Sequence, residues 1–149
     1  MKIVRDTKLE EFKRIEHLLY GINYEVSFNL YGPADPELGL IDVLKSLISK
    51  DCEISGVVPS TPTEAVSEIM DIVLYKGGTG SGPLELESKR AQISELMSKV
   101  FSSISIEEAE MVVEFGFKNG HPAYPVFWDF AYDLHSKGQR WILVGSSSD

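Results

Sequence analysis

Few side chains in this sequence could carry out a reaction: three histidines, His17, His121 and His135, and one cysteine, Cys52. No two histidines stand at a metal-ligating spacing such as i, i+4, and a single cysteine cannot build a zinc set locally, so no cofactor or metal is expected. Cys52 sits in Lys50-Asp51-Cys52-Glu53-Ile54, which reads as a helix end leading into a strand. Cysteine in that setting is a small buried hydrophobe rather than a nucleophile. The run Gly77-Gly78-Thr79-Gly80-Ser81-Gly82-Pro83 invites a phosphate cradle, because repeated glycines let backbone N–H groups close on an anion. It lacks the Lys-Ser/Thr pair of a phosphate-binding loop, follows a helix rather than a strand, and reads as a surface loop. Ser81 between its glycines likewise lacks the strand before it that a hydrolase nucleophile elbow needs. Asp129 and Asp133 share one strand face, but roughly 13 Å of strand separates them, too far for a coupled acid–base pair.

These residues depend on the elements around them. Thr7-Lys8-Leu9-Glu10 has the form of a capping box, and Leu9, Phe12, Ile15, Glu16 and Leu19 follow at helical spacing, which predicts a helix over about 8–20. Residues 23–31 alternate, with Tyr24, Val26, Phe28 and Leu30 on one face and Glu25, Ser27 and Asn29 on the other, as in a strand with one wet face. Asp35-Pro36 then reads as the cap and first residue of a helix whose stripe is Leu40, Ile41, Leu44, Leu47 and Ile48. Ile54–Val58 leaves a short strand or a loop open, because Gly56 weakens strand pairing. Thr61-Pro62-Thr63-Glu64 opens a third helix, and a fourth starts between Leu86 and Ser88. The last forty residues read as a three-stranded meander: Met111–Lys118, Tyr124–His135, and Arg140–Val144. The fold class is therefore α+β, one domain over 1–149, with about four helices against a largely antiparallel sheet of about four strands.

Charge supplies the strongest functional signal. Against 14 Lys and Arg stand 23 Asp and Glu, a net charge of −9. That balance argues against broad nucleic-acid or anionic-membrane binding, and it suits a basic protein partner. Part of the charge falls on the meander. If the apolar sides of its strands point one way, Glu110, Glu114, Asp129 and Asp133 form an acidic patch on the other, with Trp141 as a rim aromatic and Trp128 in the core. Ser146-Ser147-Ser148 read as a frayed end. With no apolar leader at Met1-Lys2-Ile3-Val4-Arg5-Asp6 and no long apolar span, a cytoplasmic location is expected.

The stretch Ala123-Tyr-Pro-Val-Phe-Trp-Asp-Phe-Ala-Tyr-Asp-Leu, then a Lys-Gly turn and Trp141-Ile-Leu-Val-Gly-Ser-Ser-Ser-Asp149, resembles the C-terminal hairpin of small bacterial immunity proteins. These are cytoplasmic antidotes to polymorphic toxins, including those of contact-dependent growth inhibition. The resemblance covers about 27 residues of 149. It implies a non-enzymatic inhibitor that covers the active site, or another essential surface, of a toxin, often a basic nuclease. A different class, a small enzyme, would gather dispersed residues such as His121, His135, Asp133 and Cys52 into a concave pocket holding histidine beside a carboxylate. An adaptor subunit is a third reading.

Overall fold

The computed structural model describes residues 5–149, with side chains from residue 8 onward. The opening residues read above for a leader lie largely outside it, as does the Thr7 side chain. Elements follow in the order β1 (Arg5–Thr7), α1 (Glu10–Leu19), β2 (Gly21–Ile22), β3 (Glu25–Ala34), α2 (Leu40–Leu47), β4 (Glu53–Pro59), α3 (Pro62–Val73), β5 (Gly82–Pro83), α4 (Leu86–Ser103), a short 3-10 turn (Ile106–Glu108), β6 (Met111–Asn119), β7 (Trp128–Ser136) and β8 (Gln139–Ser148). The architecture is α+β, with a C-terminal meander.

Six strands form one sheet in the order β1-β3-β8-β7-β6-β4, every neighbouring pair antiparallel, and β2 and β5 make a separate two-stranded ribbon. The run at Ile54–Val58 is a strand after all: β4 pairs with β6 through Gly56, using shifted register on the strand's first half. Two strands more than expected come from β1 and β4, both at sheet edges.

Helices cover both faces. On one, α1, α3 and α4 send Phe12, Ile15, Ile69, Ile93 and Met97 against Phe28, Leu30, Tyr132 and Leu143. On the other, α2 buries Val43 and Leu44 against Tyr31, Phe115, Ala131, Ile142 and Val144. The expectation of one wet face therefore fails for the inner strands, because α2 folds back across the side that alternation left to solvent. Tyr31, next to Leu30 in sequence, is buried on that second face.

One helix start of the four carries a side-chain cap. Thr61 caps α3 by accepting from the Glu64 backbone N–H at 3.1 Å, and α4 begins at Leu86. The expected capping box fails, since α1 starts at Glu10 behind Leu9 while Thr7 belongs to β1. Asp35 does not cap a helix either. Its carboxylate accepts from the Glu37 N–H, making a tight Asx turn, and α2 waits until Leu40. Beyond the end of β1, α1 completes the exposed backbone of β3: Phe28 N–H donates to Glu16 at 2.9 Å, and Lys8 reaches the Phe28 carbonyl while pairing with Glu16 at 2.6 Å. The serine tail is not frayed. Ser146 and Ser147 are buried in β8, between β3 and β7. Gly145 is required beside them, since a Cβ there would stand 2.5 Å from the Phe130 ring. Among the described residues no helix is long and apolar enough to cross a membrane.

Candidate functional site

Strands β6 and β7 pair over four residue pairs only, from Met111↔His135 to Glu114↔Tyr132. Beyond Glu114, β6 stays with β4 while β7 stays with β8, so the two diverge and the segment 120–127 bridges the gap. Pro122 and Pro125 interrupt the alternation that predicted a strand from Tyr124, and β7 starts only at Trp128. Gly120 turns the chain out of β6 with φ +81°, its Cα side packed so closely on Cys52 that a Cβ would meet backbone at 2.7 Å.

The divergence opens a cleft of about 780 Å³ on the α2 face. Asn29 and Tyr31 of β3, Ser49 and Asp51 after α2, Lys118 of β6 and His121 of the bridging loop contribute to its walls. His121 Nδ1 accepts from the Ala123 N–H at 2.9 Å, which places the ring proton of the neutral imidazole on Nε2. Nε2 is buried, has no hydrogen bond, and stands 3.8 Å from Asp129 Oδ2. Burial holds the His121 pKa below the usual histidine value, against the pull of Asp129. A histidine beside a carboxylate in a concave pocket is the geometric condition for the enzyme reading. The chemistry is less accommodating: the single lone pair of neutral His121 is spent on Ala123, leaving none to take a substrate proton. His121 acts on this geometry as the anchor of its own loop, and its ring packs edge-on against Phe117 with centroids 4.9 Å apart.

The other residues of that reading do not gather here. Cys52 is buried, gives its thiol hydrogen to the Gly120 carbonyl at 3.4 Å, and has its pKa pushed up by burial. Asp133 and His135 lie farther along β7, with Asp133 committed to Arg140.

At the rim of the cleft the loop is apolar and exposed. Tyr124 is 88% exposed and Val126 54%. The loop is nonetheless tied down: Val126 and Phe127 donate N–H bonds to the Ser147 carbonyl, and Phe127 packs on Tyr24. Trp128, read as core, stacks on Phe130 and donates from Nε1 to the Tyr24 hydroxyl at 2.8 Å.

The expected acidic patch is dispersed. Glu110 is exposed next to the start of β6, at the far end from the cleft. Glu114 faces the α3 side, opposite Tyr132. Asp133 faces the α2 side and is buried, held by Arg140 through two bonds, Nε to Oδ1 at 2.9 Å and Nη2 to Oδ2 at 2.8 Å. Arg140 Nη1 donates to the Asp35 and Leu38 carbonyls. Trp141 is no free rim aromatic, since it packs partly buried on the main core with its ring over Gly32. Asp129 alone comes near the cleft, through its approach to His121. Pairing register scatters the set: the apolar side of β6 that carries Phe115 and the apolar side of β7 that carries Phe130 face opposite ways. The exposed aromatic that the sequence reading missed is Tyr124, and the two prolines flanking it were the available signal.

No family model matches the chain, and neither the curated proteins nor the solved structures contain a match to it.

Proposed function

We propose that this protein is a cytoplasmic binding protein of the immunity type, which neutralises a basic protein toxin by covering an essential surface. The observation that carries the reading is the anchored, solvent-exposed loop at Tyr124 on the rim of the cleft, whose His121 stands 3.8 Å from the Asp129 carboxylate. Exposed aromatics held rigid among charges make strong interface anchors, because little conformational freedom is lost when they are buried. The net charge of −9 supplies complementarity to a basic partner and speeds encounter.

The test is co-expression with the C-terminal domain of the protein encoded by the reading frame upstream, chosen where that domain alone arrests growth. The wild-type protein is expected to restore growth and to form a complex whose association slows as salt rises. Tyr124→Ala and Asp129→Lys are expected to weaken that complex by about 30-fold or more together. No protection by the wild type overturns the immunity role. Protection and affinity untouched by both substitutions overturns this placement of the interface.

A further inference from the structure

On the sheet face away from Asp133, Glu114 of β6 and Tyr132 of β7 are direct cross-strand partners, so their side chains stand side by side. Helix α3 packs on β6 and brings Glu68 against both, with Glu64 one turn earlier. Tyr132 is fully buried, and its hydroxyl reaches no hydrogen bond of ordinary geometry although the Glu68 carboxyl lies beside it. Among the described residues no Lys, Arg or His forms an ion pair with Glu64, Glu68 or Glu114. A cavity of about 410 Å³ reaches Glu114 from outside, bounded by Ser55 and Gly56 of β4 and by Asp129 across the gap. Gly56 has nothing within 4 Å of the place a Cβ would occupy, so the way in beside β4 is open.

We propose that this pocket receives one guanidinium or ammonium side chain of the partner protein, an Arg or Lys whose N–H groups are taken by Glu68, Glu114 and the Tyr132 hydroxyl oxygen. The proposal rests on the reading of a basic partner and names where one of its charges goes. Carboxyls held this close without a cation stay together by sharing a proton. Glu114 is accordingly pushed up to about 7 by its hydrogen bond to Glu68, with burial and the Glu68 charge adding to the effect. A cation with several donors replaces that proton and also satisfies the stranded hydroxyl. Of the charged groups Glu114 and Asp129 line the cavity itself, Glu68 of α3 and Tyr132 of β7 neighbour Glu114 beyond that lining with Glu64 acting on Tyr132, and the β4 stretch from Ile54 to Val58 carries no charge. An organic cation fits better than a bare metal ion, since no three His, Cys, Asp or Glu among the described residues are grouped to hold a metal.

Ethylguanidinium is the probe, titrated into the free full-length protein and followed by NMR at the Tyr132 ring and the Glu68 and Glu114 carboxyls. Saturable shifts at these three residues are expected, with binding about tenfold tighter at pH 8 than at pH 6 because the shared proton must leave. Glu114→Gln is expected to weaken binding at least about tenfold. Gly56→Leu, which narrows the way in and leaves the carboxyls intact, is expected to weaken it as well. Shifts absent from these residues, or an affinity equal in the wild type and both variants, overturn the site. No toxin enters this titration, so its failure leaves the immunity reading standing, and failed neutralisation leaves the pocket standing.

Discussion

Asp133 and Glu114 sit on adjacent strands one register step apart, yet they point to opposite faces of the sheet and meet opposite electrostatic conditions. On the α2 face, Asp133 is buried against Arg140, which engages four of its five N–H donors: two on the carboxylate, and Nη1 on the carbonyls of Asp35 and Leu38. On the α3 face, Glu114 meets Glu68 and a tyrosine hydroxyl, with no cation among the described residues to balance them. The first arrangement closes a fold. It ties β8 to the turn before α2 and balances the buried carboxylate with a cation. The second leaves acceptors open beside a cavity, which costs stability and creates capacity to bind. Removing charge from each side should therefore move stability in opposite directions.

The largest effect is expected on the compensated side. Arg140→Ala leaves Asp133 buried without its partner and should cost about 3–5 kcal/mol in urea unfolding. Replacing the pair together, as Asp133→Leu with Arg140→Met, should recover much of that loss, because the burial of an uncompensated charge is then avoided. Recovery should stay incomplete, since the Asp35 and Leu38 carbonyls lose their donor in both variants. A loss below about 1 kcal/mol for Arg140→Ala would place the pair among surface bridges and dissolve the contrast.

An intermediate effect of opposite sign tests the other face. Tyr132→Phe removes a fully buried hydroxyl that reaches no hydrogen bond of ordinary geometry. Deleting such a group should raise stability by about 1 kcal/mol, because the cost of its desolvation goes with it. A fall in stability would show that the Glu68 carboxyl holds the hydroxyl firmly, and the pocket would then be closed on itself like the Arg140 side.

The sequence made one half of this contrast legible and hid the other. Alternation told correctly that Glu114 and Asp133 stand apart from Phe115 and Phe130 on their own strands. It could not tell that the two strands pair so that Glu114 meets Tyr132, because register between strands is fixed by contacts the alternation does not contain. Burial on both faces made this worse: in β6 both Val112 and Phe115 are buried, one on each side, so neither parity looked like the wet one. The Arg140 anchor was invisible for a different reason. Its carbonyl partners lie 105 and 102 residues away in a turn that the sequence reading made part of a helix. The helices, by contrast, were readable wherever the signal was local, as at Thr61, whose hydroxyl caps α3 within three residues. At the cleft, the prolines around Tyr124 outweighed an alternating pattern, since a residue without an N–H cannot extend a ladder.

The smallest expected effect is also the most specific, because it depends on pH. In the folded protein the Glu114 carboxyl is raised to about 7 by Glu68, from an ordinary value of 4.5. Between those two values the folded chain holds a proton that the unfolded chain has released, so stability falls as pH rises from about 4.5 to about 7 and levels off above. Glu114→Gln removes that titration. At pH 8 the variant should be more stable than the wild type by a few tenths to about 1 kcal/mol, given that Glu114 is only partly buried and solvent screens it. At pH 4.5 the two should be nearly equal, because Glu114 of the wild type then keeps its proton and is uncharged like the glutamine. His121, lowered by burial, slopes the other way in both proteins, losing stability as pH falls below its ordinary 6.5, and so cancels from the difference. Urea titrations of both chains from pH 4.5 to 8 measure that difference directly. If the gap between them does not widen with pH, Glu68 and Glu114 share no proton, and the contrast with Asp133 loses its electrostatic basis.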